Sequence, residues 1–255
     1  MIKFFRHIRQ SMIDQNRTRK YLLYAVGEII LVVIGILIAL QINNWNENRK
    51  SKIQGQLYLN RLLSENKEDL ATFNNNIKEL EKGIETVKAL SAVLNSNSTS
   101  DSLLIVAAND FFGYGSIYPI FSSSTSTFED LSSTGNLKDI QNATLRDQLV
   151  KHYALHNQVK ERIRIGTDWA LPIDAPFTYS NSIMRFEPVT NHLFGEQSNF
   201  ELANHLRVKK NEYINNAAIH LWLNKDAIAQ LEMLIKETTS IINAIEKELR
   251  SNFNP

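Results

Sequence analysis

Residues 21–42 read YLLYAVGEIILVVIGILIALQI, and this stretch decides how the rest of the chain is arranged. Its centre, residues 29–40, is an unbroken apolar run, and Glu28 is the only charged residue in the stretch. About 20 residues at about 1.5 Å each span about 30 Å, the thickness of a bilayer's hydrocarbon core. In lipid a single segment satisfies its own backbone hydrogen bonds only as a helix. The stretch therefore predicts a transmembrane helix over residues 21–42.

A cleaved signal peptide is the alternative interpretation of the same stretch. Its apolar region would be shorter and would end at a small-x-small cleavage site. Here the run begins at residue 21 and ends at Ala39-Leu40-Gln41, without such a site. We therefore expect an uncleaved anchor that crosses the membrane once.

The flanking residues predict the orientation of this anchor. Six basic residues precede it, and only Arg49, Lys50 and Lys52 follow it before residue 60. Because cytoplasmic flanks carry the excess of Lys and Arg, residues 1–20 are expected in the cytoplasm and residues 43–255 outside it. Tyr21, Tyr24 and Trp45 are expected as aromatic anchors at the two membrane interfaces. Residues 1–20 predict a basic amphipathic segment on the membrane surface, or else a disordered basic tail.

Composition narrows the functional classes. The chain has 28 Lys and Arg against 27 Asp and Glu, and no cysteine. A near-neutral balance outside the membrane gives no electrostatic footprint for nucleic acid. The absence of cysteine is compatible with an oxidising compartment and excludes disulfides and thiol catalysis.

Two long segments carry apolar residues at the seven-residue repeat of packed helices. The first, residues 43–94, carries Leu63, Leu70, Phe73, Ile77, Leu80, Ile84, Val87 and Leu94, with Asn66 and Ser91 in the same series. The second, residues 208–252, carries Ile214, Leu221, Ile228, Ile235, Ile242 and Leu249, with Leu231 and Ile245 as companions. The sequence predicts an all-α protein in which the transmembrane helix continues into a long antiparallel helical stalk. The same residues can also pair between two chains.

The segment between them, residues 101–204, predicts a smaller helical cap. Ser126 and Glu129 have the spacing of a capping box at the start of one helix, and residues 143–165 predict a longer helix. Three prolines between Gly166 and Gly195 predict irregular loops there.

The segments FFRHIRQ and KYLLYAVGEIILVVIGILIALQINNWNENRK resemble the N-terminus of a family of uncharacterised bacterial single-pass membrane proteins. Residues 128–149, FEDLSSTGNLKDIQNATLRDQL, resemble a second stretch of that family. The family is a domain of unknown function, so the resemblance implies a helical protein anchored in the bacterial inner membrane. It implies no activity and no catalytic residues.

Two features of the membrane stretch predict contacts within the bilayer. An acid at the depth of Glu28 usually marks a partner or a function, although it can also lean toward the headgroups or be protonated. Gly35 and Ala39 form a small-xxx-small pair that lets a second helix approach closely. We expect a protein partner or a second copy of the chain at the anchor and the stalk, besides the bilayer itself.

Few residues suggest chemistry. His152 and His156 lie four residues apart, which can place two imidazoles on one metal, but no HExxH pattern supplies a third ligand. We expect ordinary surface or half-buried histidines. The sequence has no GxSxG, SxxK, P-loop or GxGxxG motif, so we expect no catalytic residues, no cofactor and no enzyme.

An aromatic cluster follows the first predicted cap helix. It comprises Phe111, Phe112, Tyr114, Tyr118, Phe121 and Phe128. We expect most of it to form the core of the cap, with a ligand pocket as the alternative. Three functions follow in order of preference: an interaction or scaffold protein of the cell envelope, a ligand-binding sensor domain that signals through a membrane partner, and an envelope enzyme.

Overall fold

The computed structural model describes residues 18–251, which contain helices and connecting loops but no strand. The α-helices are α1 (Thr18–Asn95), α2 (Asp101–Asp110), α3 (Ser126–Ser133), α4 (Ala143–Ser180), α5 (Asn199–Val208) and α6 (Lys210–Ser251). Shorter helical turns are Phe111–Gly115, Asn136–Asp139, Ile183–Arg185 and Asn191–Phe194. The all-α prediction is confirmed. Most of the predicted amphipathic segment, residues 1–17, lies outside the described residues. The side chain of Tyr21 also lies outside them.

The chain forms two compact units, residues 1–55 and 56–255. In the described part of the first unit, residues 18–55 belong to α1, and the apolar side chains of residues 29–40 are exposed. This is the one described helix whose length and composition are sufficient to cross a membrane, a test that an N-terminal signal sequence also passes. Tyr24 and Trp45, the two described anchor candidates, are exposed on either side of the apolar run.

The second unit is built on three long helices whose core divides into three clusters. One cluster joins Leu62 of α1 to Leu149 of α4 and Ile245 of α6. The middle cluster joins Phe73, Val159 and Leu231 of the same three helices. The third joins Leu90 of α1 to Tyr213 of α6 and to α2 and α5. Residue numbers rise together along α1 and α4 and fall along α6, so α6 runs antiparallel to both.

The buried residues of these helices follow a regular alternation of four and three positions. On α6 the series is Tyr213, Ala217, His220, Asn224, Ala227, Leu231, Leu234, Thr238, Ile241 and Ile245. In the first half of α6 this series lies one position beside the predicted repeat, whose Ile214, Leu221, Ile228 and Ile235 are only half-buried. The other four predicted positions are buried: Leu231, Ile242, Ile245 and Leu249. On α1 the shift is smaller: Leu59 and Leu62 are buried, whereas Leu63 and Leu70 are half-buried. The prediction that α1 and the C-terminal helix pack together is confirmed.

The sequence predicted irregular loops from Gly166 onward. This prediction is wrong for the residues up to Ser180, because α4 continues through Pro172 and Pro176. Each proline lacks the N–H that would bond four residues back, which usually breaks a helix. Here both prolines and Asp168 are exposed, so water can reach the freed carbonyl groups. The opposite face carries Ala170 and Asp174 into the core. The region predicted as a cap therefore contributes a third long helix.

A descending segment, residues 111–131, returns from the end of α2 to the start of α4 along the side of α1. Gly115 lies against Gly83, and a Cβ added to Gly115 would lie 2.3 Å from the Thr86 hydroxyl. Farther along, the Ser124 backbone N–H donates to Asp69 (2.8 Å), and the hydroxyl of Thr127 donates to Glu65 (2.6 Å). Two carboxylates of α1 thus hold this segment in place.

The predicted capping box at Ser126 and Glu129 is wrong in its hydrogen bonds. Ser126 donates its hydroxyl to Glu65 of α1 at 2.9 Å, and Thr125 occupies the cap position without a side-chain cap bond. The structure instead has a capping box at Ser198 and Glu201, which opens α5.

Candidate functional site

Asp174 forms the centre of a buried polar cluster at the far end of the three-helix core. One carboxylate oxygen accepts a hydrogen bond from Asn216 of α6 at 2.7 Å. The other lies 2.9 Å from His220 Nε2 and also accepts the hydroxyl of Tyr118 from the descending segment. Two separate elements, α6 and the descending segment, therefore converge on a carboxylate of α4.

The heptad spacing explains why these side chains meet. Asp174 continues the buried series of α4 that includes Gly166 and Ala170, and Asn216 and His220 lie on the buried face of α6. Burial alone would raise the pKa of Asp174, but the hydrogen bonds from His220, Tyr118 and Asn216 outweigh it and hold that pKa below its usual range. Burial, with the bond to Asp174, raises the pKa of Tyr118. The cluster is therefore an ionised carboxylate surrounded by donors.

This cluster lies at a cleft of about 650 Å³. That volume is within the usual range of small-molecule sites. The walls are mostly apolar and come from the descending segment, α4, the 181–187 turn and α6. They comprise Phe112, Ser116, Tyr118, Leu171, Ala175, Thr178, Tyr179, Ser182, Ile183, Met184, Glu187 and Phe194, together with Asp174, Asn216 and His220. Tyr179 is 90% exposed, so the cleft is open to solvent at that side chain.

The six predicted aromatic residues divide between this cleft and the core. Phe112 and Tyr118 line the cleft. Phe111 is fully buried against Phe112, with ring centroids 4.8 Å apart. The remaining three lie elsewhere: Tyr114 is half exposed beneath the Lys82 ammonium, Phe121 stacks on Phe73, and Phe128 stacks on Tyr153. Asp174, Asn216 and His220 were not predicted as site residues, because nothing in their local sequence marks them.

His152 and His156 form a second buried polar group, in the middle of the core. They are 2% and 1% exposed, so the expectation of surface or half-buried histidines is wrong. Their Nε2 atoms lie 3.0 Å apart, and His152 Nε2 lies 2.8 Å from Oδ1 of Asn66. Asn66 donates its amide to the Leu62 carbonyl and to the Tyr153 hydroxyl, so its Oδ1 must accept from His152.

This arrangement requires neutral imidazoles. Burial, helped by His156, lowers the pKa of His152 to about 3, and burial lowers the pKa of His156 to about 4. Both Nδ1 atoms are buried without a hydrogen-bond partner among the described residues. Within residues 18–251, no three His, Asp or Glu side chains are placed to hold a metal ion.

Asp69 is a third buried ionisable group, where the descending segment meets α1. Burial raises the pKa of Asp69 to about 6; the Ser124 N–H lowers it and the nearby Glu65 raises it further. Its second oxygen and one oxygen of Glu65 are buried without a partner in the described structure. This carboxyl therefore titrates close to neutral pH.

An exposed aromatic groove lies on the outer surface of α4 and α6. Trp169 and Trp222 meet edge to face, with centroids 5.6 Å apart, and are 54% and 48% exposed. With Arg162, Ile165 and Gly166 they line a groove of about 280 Å³. The three bundle helices therefore leave two indoles in contact with solvent.

The predicted contact residues of the anchor all lie on α1. A Cβ added to Gly35 would have no atom within 4 Å, and Ala39 is exposed, so that face is open in the described structure. Glu28 is half-buried and has an interaction within the chain.

These features define an all-helical protein with one apolar N-terminal helix and a cleft at one end of a three-helix core. The chain belongs to a family of unknown function, DUF6090, whose model matches residues 28–163. The match includes Phe112, Tyr118 and both buried histidines, and it ends before Asp174 and His220. No curated protein and no solved structure matches the chain.

Proposed function

We propose that the protein is a membrane-anchored, ligand-binding module of the bacterial cell envelope. The observation that carries this proposal is the cleft of about 650 Å³ whose apolar walls surround the buried Asp174 cluster. Small-molecule sites combine apolar walls with a few polar groups in fixed positions, as here. A sensor function would require a membrane partner that carries the signal across the bilayer.

The hydrogen bonds within the Asp174 cluster favour ligand binding over catalysis. Asp174 is engaged by Tyr118, Asn216 and His220, and the other ring nitrogen of His220 is buried without a partner among the described residues. A catalytic base needs a lone pair within reach of the substrate proton. These groups are suited to hold a ligand in one orientation.

The test compares small molecules that copurify with the full-length protein from native membranes. Ala175 is exposed, lies on α4 and lines the cleft, so Ala175→Trp should fill the cleft without disturbing the core. Ala154→Trp, at an exposed position elsewhere on the same helix, is the matched control. Mass spectrometry should find a molecule enriched with the wild type and Ala154→Trp and lost with Ala175→Trp. The same set of molecules with all three proteins would contradict ligand binding by this cleft.

An interaction or scaffold role is the second candidate, and the exposed groove at Trp169 and Trp222 favours it. Tryptophan is enriched among the residues that dominate protein interfaces. The occupant we propose is a partner protein that places an apolar side chain in the groove against the two indoles. Trp222→Ala should then reduce copurification of a specific protein from native membranes, whereas Tyr179→Ala at the cleft mouth should not. Equal recovery with both variants would remove this candidate.

A further inference from the structure

The charged groups that line the cleft indicate which class of ligand it takes. Both are carboxylates, Asp174 and Glu187, and no Lys or Arg is among the described residues that line it. Glu187 accepts hydrogen bonds at Oε2 from the backbone N–H groups of Val189 (2.8 Å) and Thr190 (3.0 Å), which fixes its place in the turn. The described residues that line the cleft therefore include two carboxylates and no Lys or Arg.

The aromatic side chains in the walls also favour a positively charged ligand. Phe112, Tyr118, Tyr179 and Phe194 line the cleft, and the faces of aromatic rings attract cations. Arg185 demonstrates this at the rim, where its guanidinium lies 5.7 Å from the centroid of Phe194. A cation inside the cleft would lie among aromatic side chains and carboxylates.

The buried carboxylate of Asp174 gives a physical reason for a cationic ligand. Its side chain is only 12% exposed. A buried carboxylate is costly unless hydrogen bonds and a nearby opposite charge compensate it. Tyr118, Asn216 and His220 already bond to it, and a ligand ammonium would add a full positive charge beside these groups.

We propose that the cleft binds an organic amine, a positively charged ammonium attached to an aromatic or branched apolar body. The ammonium faces the Asp174 and Glu187 side of the cleft, and the apolar body packs against Phe112, Leu171 and Met184. This proposal rests on the ligand-binding function proposed above and specifies its ligand class.

The experiment uses three molecules of nearly equal shape: 2-phenylethylamine, 2-phenylethanol and 3-phenylpropionate. Their binding to the full-length protein in detergent is measured by titration calorimetry. We expect the amine to bind about tenfold more tightly than the alcohol, and the carboxylate to show no binding. Ala175→Trp should abolish binding of the amine, and Ala154→Trp should leave it unchanged.

Two charge variants locate the effect. Glu187→Gln keeps an oxygen that can accept the turn N–H groups but removes the charge, so the tenfold preference for the amine should fall several-fold. Glu196→Gln removes an exposed carboxylate outside the cleft and should change nothing. Asp174→Asn should also reduce the preference, and its melting curve shows whether the fold is kept. If Glu187→Gln fails to fold, Asp174→Asn carries the comparison.

The outcomes separate the ligand class from the ligand-binding function. Equal binding of amine and alcohol, or tighter binding of the carboxylate, overturns the amine while leaving the cleft a binding site. If none of the three binds, the charge of the copurified molecule decides, and a neutral or anionic one overturns the amine. If no molecule copurifies either, ligand binding itself is wrong.

Discussion

The imidazoles of His152 and His156 make the folded state sensitive to acid. Their pKa values in the fold, about 3 and about 4, lie below the unfolded value of 6.5, so the unfolded chain binds protons first as the pH falls. Their contribution to stability is therefore present above about pH 6.5 and is lost below it. At about 1.4 kcal/mol per pKa unit, each histidine costs about 2 kcal/mol between pH 6.5 and pH 5.

Replacing His156 should weaken this acid sensitivity. His156→Leu removes one imidazole that contacts the Phe73 and Phe121 rings and leaves His152 bonded to Asn66. The loss of unfolding free energy between pH 7.5 and pH 5, measured by urea denaturation, should be about 2 kcal/mol smaller than in the wild type. His192→Leu, at an exposed position, should leave the loss unchanged. An unaltered pH slope in His156→Leu would contradict the assignment.

Asp69 changes the stability of the fold with pH in the opposite direction to the two histidines. Its pKa in the fold is about 6, above the unfolded value of 3.8, so its stabilising contribution is complete below pH 3.8 and is lost as the pH rises through 6. It partly offsets the histidines between pH 4 and pH 6. The wild-type pH profile is therefore the difference of two effects, and the comparison of His156→Leu with the wild type isolates one of them.

On α6, the side chains that contribute most to the free energy of unfolding are the buried ones next to the predicted apolar repeat. Leu234 of α6 is fully buried in the middle core cluster, whereas Ile77 and Ile235 lie at its edge. Leu234→Ala should cost roughly 2–5 kcal/mol of unfolding free energy, the usual cost of truncating a buried leucine. Ile235→Ala should cost roughly 1 kcal/mol. Similar costs for both variants would show that the repeat beginning at Ile214 faces the core.

The sequence predicted these long helices and most of the buried positions of α1, but it misplaced the buried face in the first half of α6, for a physical reason. Counting apolar residues gave the seven-residue period correctly. The core positions of α6, however, include Ala217, His220 and Thr238, which small size or hydrogen bonding suits to the interior. They also include Asn224, whose side-chain amide is buried without a hydrogen-bond partner among the described residues. The large isoleucines beside them are half-buried. A pattern based on large apolar residues therefore follows the isoleucines and misses the polar and small core positions. The period of a helix is therefore easier to predict than its phase when the core contains polar residues.

The cleft was predictable only in part. The aromatic cluster indicated its neighbourhood, and Phe112 and Tyr118 line it. Its polar centre brings Tyr118 together with Asp174, 56 residues later, and with two residues of α6. Such a convergence depends on the register of three helices. It also depends on α4 continuing through Pro172 and Pro176, where local sequence favours a break.

At the scale of the whole molecule, the distribution of charge around the anchor predicts the topology. We propose that residues 1–20 are cytoplasmic and that residues 43–255 lie in the periplasm, because six basic residues precede the anchor and three follow it before residue 60. A reporter active only in the periplasm, fused after Pro255, should be active. A silent periplasmic reporter together with an active cytoplasmic one would reverse this orientation. N-terminal sequencing that begins near residue 40 would show cleavage instead.

We propose that residues 21–42 form a membrane anchor that also binds a second helix, and Glu28 is the residue that tests this. An acid in an apolar span is retained most readily where a second helix offers a polar or basic group, or where two copies share a proton. Glu28→Leu should insert more readily, yet lose copurification of the partner or of a tagged second copy, at an unchanged protein level. Leu31→Ile, on the same span, is the control and should keep the association. If Glu28→Leu and replacement of the whole span by an unrelated leucine-rich helix both keep the association, residues 21–42 only fix the protein to the bilayer.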